Sequence, residues 1–476
     1  MNNTYLQKGI ITTYIIIFGT IFLILLGGLL GFILLQLKQT AHEIAWNNAL
    51  EIAEAGLDYY RWCLNNEVEE SCELTKEYQN AEGVTIGSFS LEVNSTTNCG
   101  IKTITTIAST GWTNDYPDIK RRVQVLYAKT SVARYAYLIN DNVWAGSDRE
   151  IRGLYHSNGG IRMDGTNQSL VTSAQEEWVC TSSFGCSTCP TDANPPCRIE
   201  GSECICPGVF TTTENAQTDL FDFPVPAFDF DGITVDLAEI KTLTESNPQQ
   251  YYWPPVTEID PEGDGYHLKF LNDGSFEMWV ITSLQEELAY SLEEGWHHDY
   301  FTIQNEYKYG EAIPIDPNCS LIFVEDNLWV EGEVKGKVTV ASANLITPSE
   351  DTSIILPGNI TYTTTDGSDG LGLIAEKNVL ISPDSPNIME LRGVFVAQKG
   401  RFGRNHYPWN IKDSLEIHGA IVSNGRVGTK WSSGGQIVSG YRNRENYFDQ
   451  NLVYNPPLFI PYTSTEFKAI NWEELE

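Results

Sequence analysis

Between Lys8 and Lys38 the chain carries no charged side chain, and residues 14–37 read YIIIFGTIFLILLGGLLGFILLQL. An apolar run of this length crosses a bilayer core as a helix, at about 1.5 Å per residue. Thr12, Thr13, Tyr14 and Gln36 lie near its ends, where polar tips reach headgroups. Past Lys38 the run narrows to a stripe. Ala45, Ala49, Ile52, Ala53, Gly56 and Tyr60 recur at helical spacing, and Glu43, Glu51, Glu54 and Asp58 take the other faces. The pattern predicts one helix from about Thr12 to about Leu64, first in lipid and then amphipathic against a soluble domain. A cleaved secretory signal would have a shorter apolar core and a small-x-small site after it. Gly27, Gly28 and Gly31 would admit a second helix at close range, and equally suit an anchor without a helix partner.

The period then changes to two. Residues 85–93 (TIGSFSLEV), 102–109 (KTITTIAS) and 121–126 (RRVQVL) alternate and are separated by Asn, Gly and Pro. Residues 65–130 therefore read as a small strand-rich unit on the helix. Segment 131–215 opens with strands at 135–139 and 151–155, then becomes loop-rich and cysteine-rich. Segment 216–316 is a connecting α+β region with a short helix near 235–243. It also holds a hairpin turning at Asn272-Asp273-Gly274-Ser275. In 317–476, short β-branched runs recur with glycines: LGLIAEKNVLIS, LRGVFVAQKGRFG and SLEIHGAIVSNGRVG. Their repeat of roughly 20–25 residues matches the rungs of a parallel β-helix, with a β-sandwich as the alternative. The last residues, 447–476, read as an extended segment along the sheet with Trp472 as its anchor. The fold class expected is α+β, mostly β: a membrane helix (1–64), a strand-rich unit, a cysteine-rich insertion and a C-terminal β-helix-like domain.

Composition narrows the partners. Net charge is −33, from 63 acidic and 30 basic residues, so nucleic acid is disfavoured as a ligand. The 12 Trp, 23 Tyr and 19 Phe supply large cores. An even ten cysteines behind an N-terminal anchor point to an oxidising compartment, with the N-terminus cytoplasmic and the bulk extracytoplasmic. Cys63 and Cys72 are placed to close a short loop. Cys180, Cys186, Cys189, Cys197, Cys204 and Cys206 staple an insertion poor in apolar residues, or hold zinc through Cys186-x-x-Cys189.

Candidate chemistry is sparse. His297 and His298 sit among Glu293, Glu294 and Asp299, but adjacent residues on a strand face opposite ways. Asp366, Asp369 and Glu376 match the paired carboxylates of carbohydrate-active enzymes in residue type alone. Asp229, Asp231, Asp236 and Glu239 lack EF-hand spacing, and a turn with an N-cap accounts for them. No nucleophile elbow, HExxH helix or Walker loop is present. No catalytic, metal or cofactor-binding set is assigned, and a non-enzymatic protein is expected. Trp329, Trp409, Trp431 and Tyr441 are candidate stacking surfaces for a glycan or candidate core residues.

Residues 8–62, with Ala49, Ala53, Glu54, Ala55 and Gly56 in an A-x-x-x-A-E-A-G stretch, resemble the N-terminal segment of PilX-type minor pilins. The stretches LWVEGEVKGKVTVASA, VFVAQKGRFGRNHY and YFDQNLVYNPPLFIP resemble the β-rich domain of related bacterial proteins. The resemblance implies a type IV pilus-like role, with other pilins or assembly proteins as partners, and display at the cell surface. It also implies prepilin processing after Gly9. Tyr14 stands at the fifth position from that point, where pilins carry a glutamate. A membrane-anchored adhesin outside any pilus is the alternative.

Overall fold

The computed structural model describes residues 6–66, 68–99, 101–231, 235–246, 251–347 and 349–475. Two compact units form. One comprises the residues up to Ser95, Thr105–Tyr127 and those from Phe467 onward. The other comprises Thr96–Ile104 and Ala128–Glu466. Neither follows the chain contiguously, because strand pairing joins residues far apart in sequence.

In the first unit one helix runs from Leu6 to Asn65, about 90 Å at 1.5 Å per residue. Its apolar part has a mean hydropathy of 2.6 and is fully exposed, a surface that only lipid or other apolar partners would cover. Its second part buries Ala45, Ala49, Ile52, Ala53, Leu57, Tyr60 and Leu64, and Gly56 lies in the same face. Glu43, Glu51, Glu54 and Asp58 remain exposed. The sheet in this unit has the order Thr75–Gln79, Thr85–Asn98, Ile101–Thr113, Lys120–Ala128, Lys468–Leu475. Phe89, Leu91, Ile107, Val123, Val125 and Tyr127 project from it into the helix face. The last strand corrects the expectation for the C-terminus. Residues 468–475 form an edge strand, where Arg121 pairs with Glu474 and Gln124 donates to Glu473 at 2.9 Å. Trp472 is 47% exposed rather than a buried anchor.

The second unit is a stack of parallel rungs. Lys337–Ser342 pairs in parallel with Gly370–Ala375, which pairs with Ile388–Ala397, which pairs with Ile411–Ser423. Equivalent residues superpose along the stack: Ala375 faces Ala397, and Ala397 faces Ser423. This is the pairing a β-helix-like coil requires, whereas a sandwich would be built from antiparallel pairs. The order of the rungs is not the order of the chain. Ile411–Ser423 pairs next with Tyr135–Ile139, and the stack continues through Leu154–Ser157, Val171–Ser173 and Phe221–Asp222. At its other end Tyr252–Trp253 pairs with Leu321–Val324. Strands drawn from segments 131–215, 216–316 and 317–466 thus share one sheet.

Strand alternation sends residues to two cores. Tyr137, Tyr155, Leu373, Phe395 and Ile421 fill the inside of the coil. Leu138, Ile374, Val396 and Val422, each one residue along, face outward and are also buried, as is Phe323. Leu237 and Ile240 of the helix Leu237–Glu245, with Leu452, Leu458 and Ile460, cover that outer face. Asp236 caps this helix, accepting from Glu239 N at 3.0 Å. The Asp229 to Glu239 region includes residues 232–234, which lie outside the described residues. The expected hairpin turns at Asp273-Gly274, between Gly265–Leu271 and Ser275–Ser291. Ser275–Ser291 then pairs with Gly295–Lys308 in a long antiparallel excursion.

Candidate functional site

Two places concentrate special residue choices: the helix face in the first unit, and a cavity in the second. On the helix, Ala49 and Ala53 are buried, Ala55 is half-buried and Glu54 is exposed. The small residues set how closely the helix lies on the sheet. A Cβ at Gly111 would stand 3.0 Å from Ala53 Cα, and closer still to Ala49 O and Ala53 N. A Cβ at Gly56 would stand 2.9 Å from the Phe89 ring and collide with Ser109 Oγ. A Cβ at Gly87, on the neighbouring strand, would collide first with Trp112 O and then with the Ile52 side chain. The A-x-x-x-A-E-A-G stretch therefore builds a close helix–sheet contact, with Glu54 left outside. Gly9 lies inside the helix, three residues past its first described residue.

The ten cysteines form five disulfides, and no free thiol remains. Cys63 is bonded to Cys72 at the end of the long helix. Within the insertion the pairs are Cys180–Cys186, Cys189–Cys204 and Cys197–Cys206. These bonds take up the sulfurs that a zinc site would have used. Cys99–Cys319, separated by 220 residues, was not among the sequence candidates, since nothing local links the two. Trp178, Phe184 and Phe210 pack around the insertion's sulfurs as a small separate core.

The carboxylate candidates hold loops. Asp369 accepts from Gly336 N, Thr363 Oγ1 and Thr364 N, each at 2.7 Å. Burial opposes its charge, but these donors outweigh it and hold its carboxyl below the usual range. Glu376 accepts from Asn344 N at 3.0 Å and from Lys399 at 2.8 Å. His297 Nε2 lies 3.0 Å from buried Asp299, while His298 pairs with Glu286, so the two imidazoles serve different neighbours. Asp299 also accepts from Asn405 Nδ2 and Tyr407 OH, both at 2.8 Å.

Of the four aromatic candidates, Trp329 and Tyr441 are core residues, 1% and 0% exposed. Trp409 is 88% exposed and holds a positive φ of 63°. Trp431 is half-buried and lines a cavity of about 600 Å³. Its indole donates to Arg404 O at 2.9 Å, and Tyr290 meets it edge-on at 5.6 Å. Five cations also line the cavity: Arg149, Arg401, Arg426, Lys430 and Arg444. Two carboxylates accompany them, Asp148 and Glu293. Asp148 is shared between Arg444, bound twice at 2.9 Å, and Lys430 at 2.5 Å. Sequence reading missed this group because its members are spread from residue 148 to residue 444. Its one local signal is the density of arginines after residue 400, namely Arg401, Arg404, Arg426, Arg442 and Arg444, in a chain with 30 basic residues.

No protein-family model matches the chain. No curated protein matches it either. Among solved structures, it is similar to the competence-associated pilin ComZ from Thermus thermophilus at 13% identity, covering 90% of this chain and 97% of that one. The TM-score is 0.28, so the fold described above rests on this chain's own strand pairings.

Proposed function

We propose that this protein is a membrane-anchored, non-enzymatic component of a type IV pilus-like assembly, a PilX-like minor pilin or assembly subunit with a β-rich extracytoplasmic domain. The observation that carries the reading is one uninterrupted helix with two environments. Its first part is apolar and exposed, and its second is clamped to a sheet through Ala49, Ala53 and Gly56. Ile44 and Trp62, 55% and 56% exposed on the second part, offer apolar surface to a neighbouring helix. Five disulfides favour an oxidising compartment for the bulk of the chain. Tyr14 in place of a membrane-embedded carboxylate suits a tip subunit and equally suits a protein that stays in the membrane outside the filament.

The test is mass spectrometry of the mature N-terminus in membrane and pilus fractions, together with pilus counts after deletion. A chain beginning at Ile10 that co-purifies with pilins, with piliation lost on deletion, supports the proposal. A chain retaining Lys8, absent from pilus fractions, with piliation intact, refutes it. A surface adhesin is the second reading, favoured by the exposure of Trp409 and by the Trp431 cavity.

A further inference from the structure

The cavity beside Trp431 runs against the charge of the whole chain. In a protein of net charge −33, five cations and two carboxylates share one wall system. Two of the cations have no carboxylate within ion-pair distance among the described residues. Arg149 is 4% exposed and donates to Tyr137 OH at 2.7 Å. Arg426 donates to Ser183 O at 2.8 Å and lies 4.2 Å from the Phe184 ring centroid. Burial, and then the neighbouring Arg149, push the Arg444 guanidinium down to about 10 against the pull of Asp148. Burial likewise lowers Lys430 and Arg426. An incoming anion relieves Arg444, Lys430 and Arg426, whereas Tyr137, Tyr155 and Asp148 already outweigh burial at Arg149.

The remaining walls describe the rest of that anion. Trp144 and Trp431 contribute indoles, and Leu292, Val427 and Ile437 contribute apolar surface. A small tetrahedral ion would engage one or two guanidiniums and leave this surface unused. A cavity of about 600 Å³ is of the size that encloses a small organic ligand. Indole faces suit the C–H face of a sugar ring, and guanidinium forks suit a carboxylate bidentately. The disulfide-rich insertion gains a role here, since Ser182 and Ser183 close one side of the cavity and hold Arg426 through Ser183 O. We propose that this cavity binds a carboxylated sugar residue of an acidic polysaccharide. The inference goes beyond the anchoring role and does not depend on it.

The experiment uses the full chain in detergent micelles, with tryptophan fluorescence and calorimetry. The probes are trigalacturonate, galactotriose as its neutral counterpart, and inorganic phosphate. Trigalacturonate should bind at least about tenfold more tightly than galactotriose, and its affinity should fall with added salt. Arg426→Gln and Trp431→Phe should each weaken it about fivefold or more in protein that still unfolds cooperatively. If Arg426→Gln melts early, Lys430→Gln replaces it as the charge test. The proposal is overturned by equal affinity for the neutral sugar or by phosphate binding as tightly as the uronate. It is equally overturned by affinity untouched in folded variants, or by no response to about 10 mM trigalacturonate.

Discussion

Gly111→Ala tests whether the small residues of the helix set its distance from the sheet. The added Cβ would face Ala49 O, Ala53 N and, at 3.0 Å, Ala53 Cα. Carbon atoms rest about 3.5–4.0 Å apart, so helix and sheet must separate by roughly 0.5–1 Å. A gap of that width forfeits about a quarter to a half of each dispersion contact it opens. It opens them along a face that includes Ile52, Leu57 and Tyr60. Overpacking typically costs about 1–3 kcal/mol. The upper end applies here, because the obstructing atoms are main chain and no rotamer change removes them. A loss of about 3 kcal/mol lowers the folded-to-unfolded ratio of this unit roughly a hundredfold and its melting temperature by about 10 °C. The assay is thermal unfolding of the full chain in micelles, with hydrogen exchange followed over residues 45–64. Gly428→Ala, whose Cβ meets nothing within 4 Å, is the control. Gly56→Ala supplies a contrast: its obstacles are the Ser109 and Phe89 side chains, so adding Ser109→Gly should recover part of its loss. A Gly111→Ala protein that melts within about 2 °C of the parent, with unchanged exchange in the helix, would refute the reasoning.

Replacing both Cys99 and Cys319 by serine opens a loop of 220 residues. Loop entropy puts the loss at about 5 kcal/mol at most, read as a lower urea midpoint for the second unit. Asp299→Ala leaves His297, Asn405 and Tyr407 without their shared acceptor. Unfolding in urea should show a loss of about 2–4 kcal/mol. His267 is buried, and burial opposes its charge, but Glu306 at 2.7 Å and Glu331 at 3.3 Å outweigh it and raise its pKa. Its stabilisation is therefore complete below the ordinary histidine value and is lost as pH rises through the raised one. Glu306 and Glu331 are both held low, so their contribution is present above the usual carboxylate range and fades in acid. An NMR titration should place His267 above 6.5, and His267→Gln should flatten the fall in stability on the alkaline side. A His267 midpoint at or below 6.5 would contradict this account.

Sequence by itself determined the elements whose causes are local. The absence of charge between Lys8 and Lys38 and the stripe from Ala45 to Tyr60 specified one long helix and its buried face. Alternation specified the strands at 85–93 and 121–126, and Asp273-Gly274 specified the hairpin turn. Glycine-punctuated repeats after residue 320 pointed to stacked rungs with a sandwich as the alternative, and the parallel strand pairing decided between them. What the tertiary structure decided depends on contacts between distant residues. The stacking of Tyr135–Ile139 on Ile411–Ser423 leaves no local trace, since any apolar rung is chemically suited to lie on any other. The same holds for Lys468–Leu475 completing the first sheet and for Cys99 meeting Cys319. Trp329 and Trp431 are alike in sequence and differ in what lies over them: one is sealed in the core and the other borders a cavity. The cations of that cavity come from separate rungs and loops, and only the folded stack brings Arg149 beside Arg444.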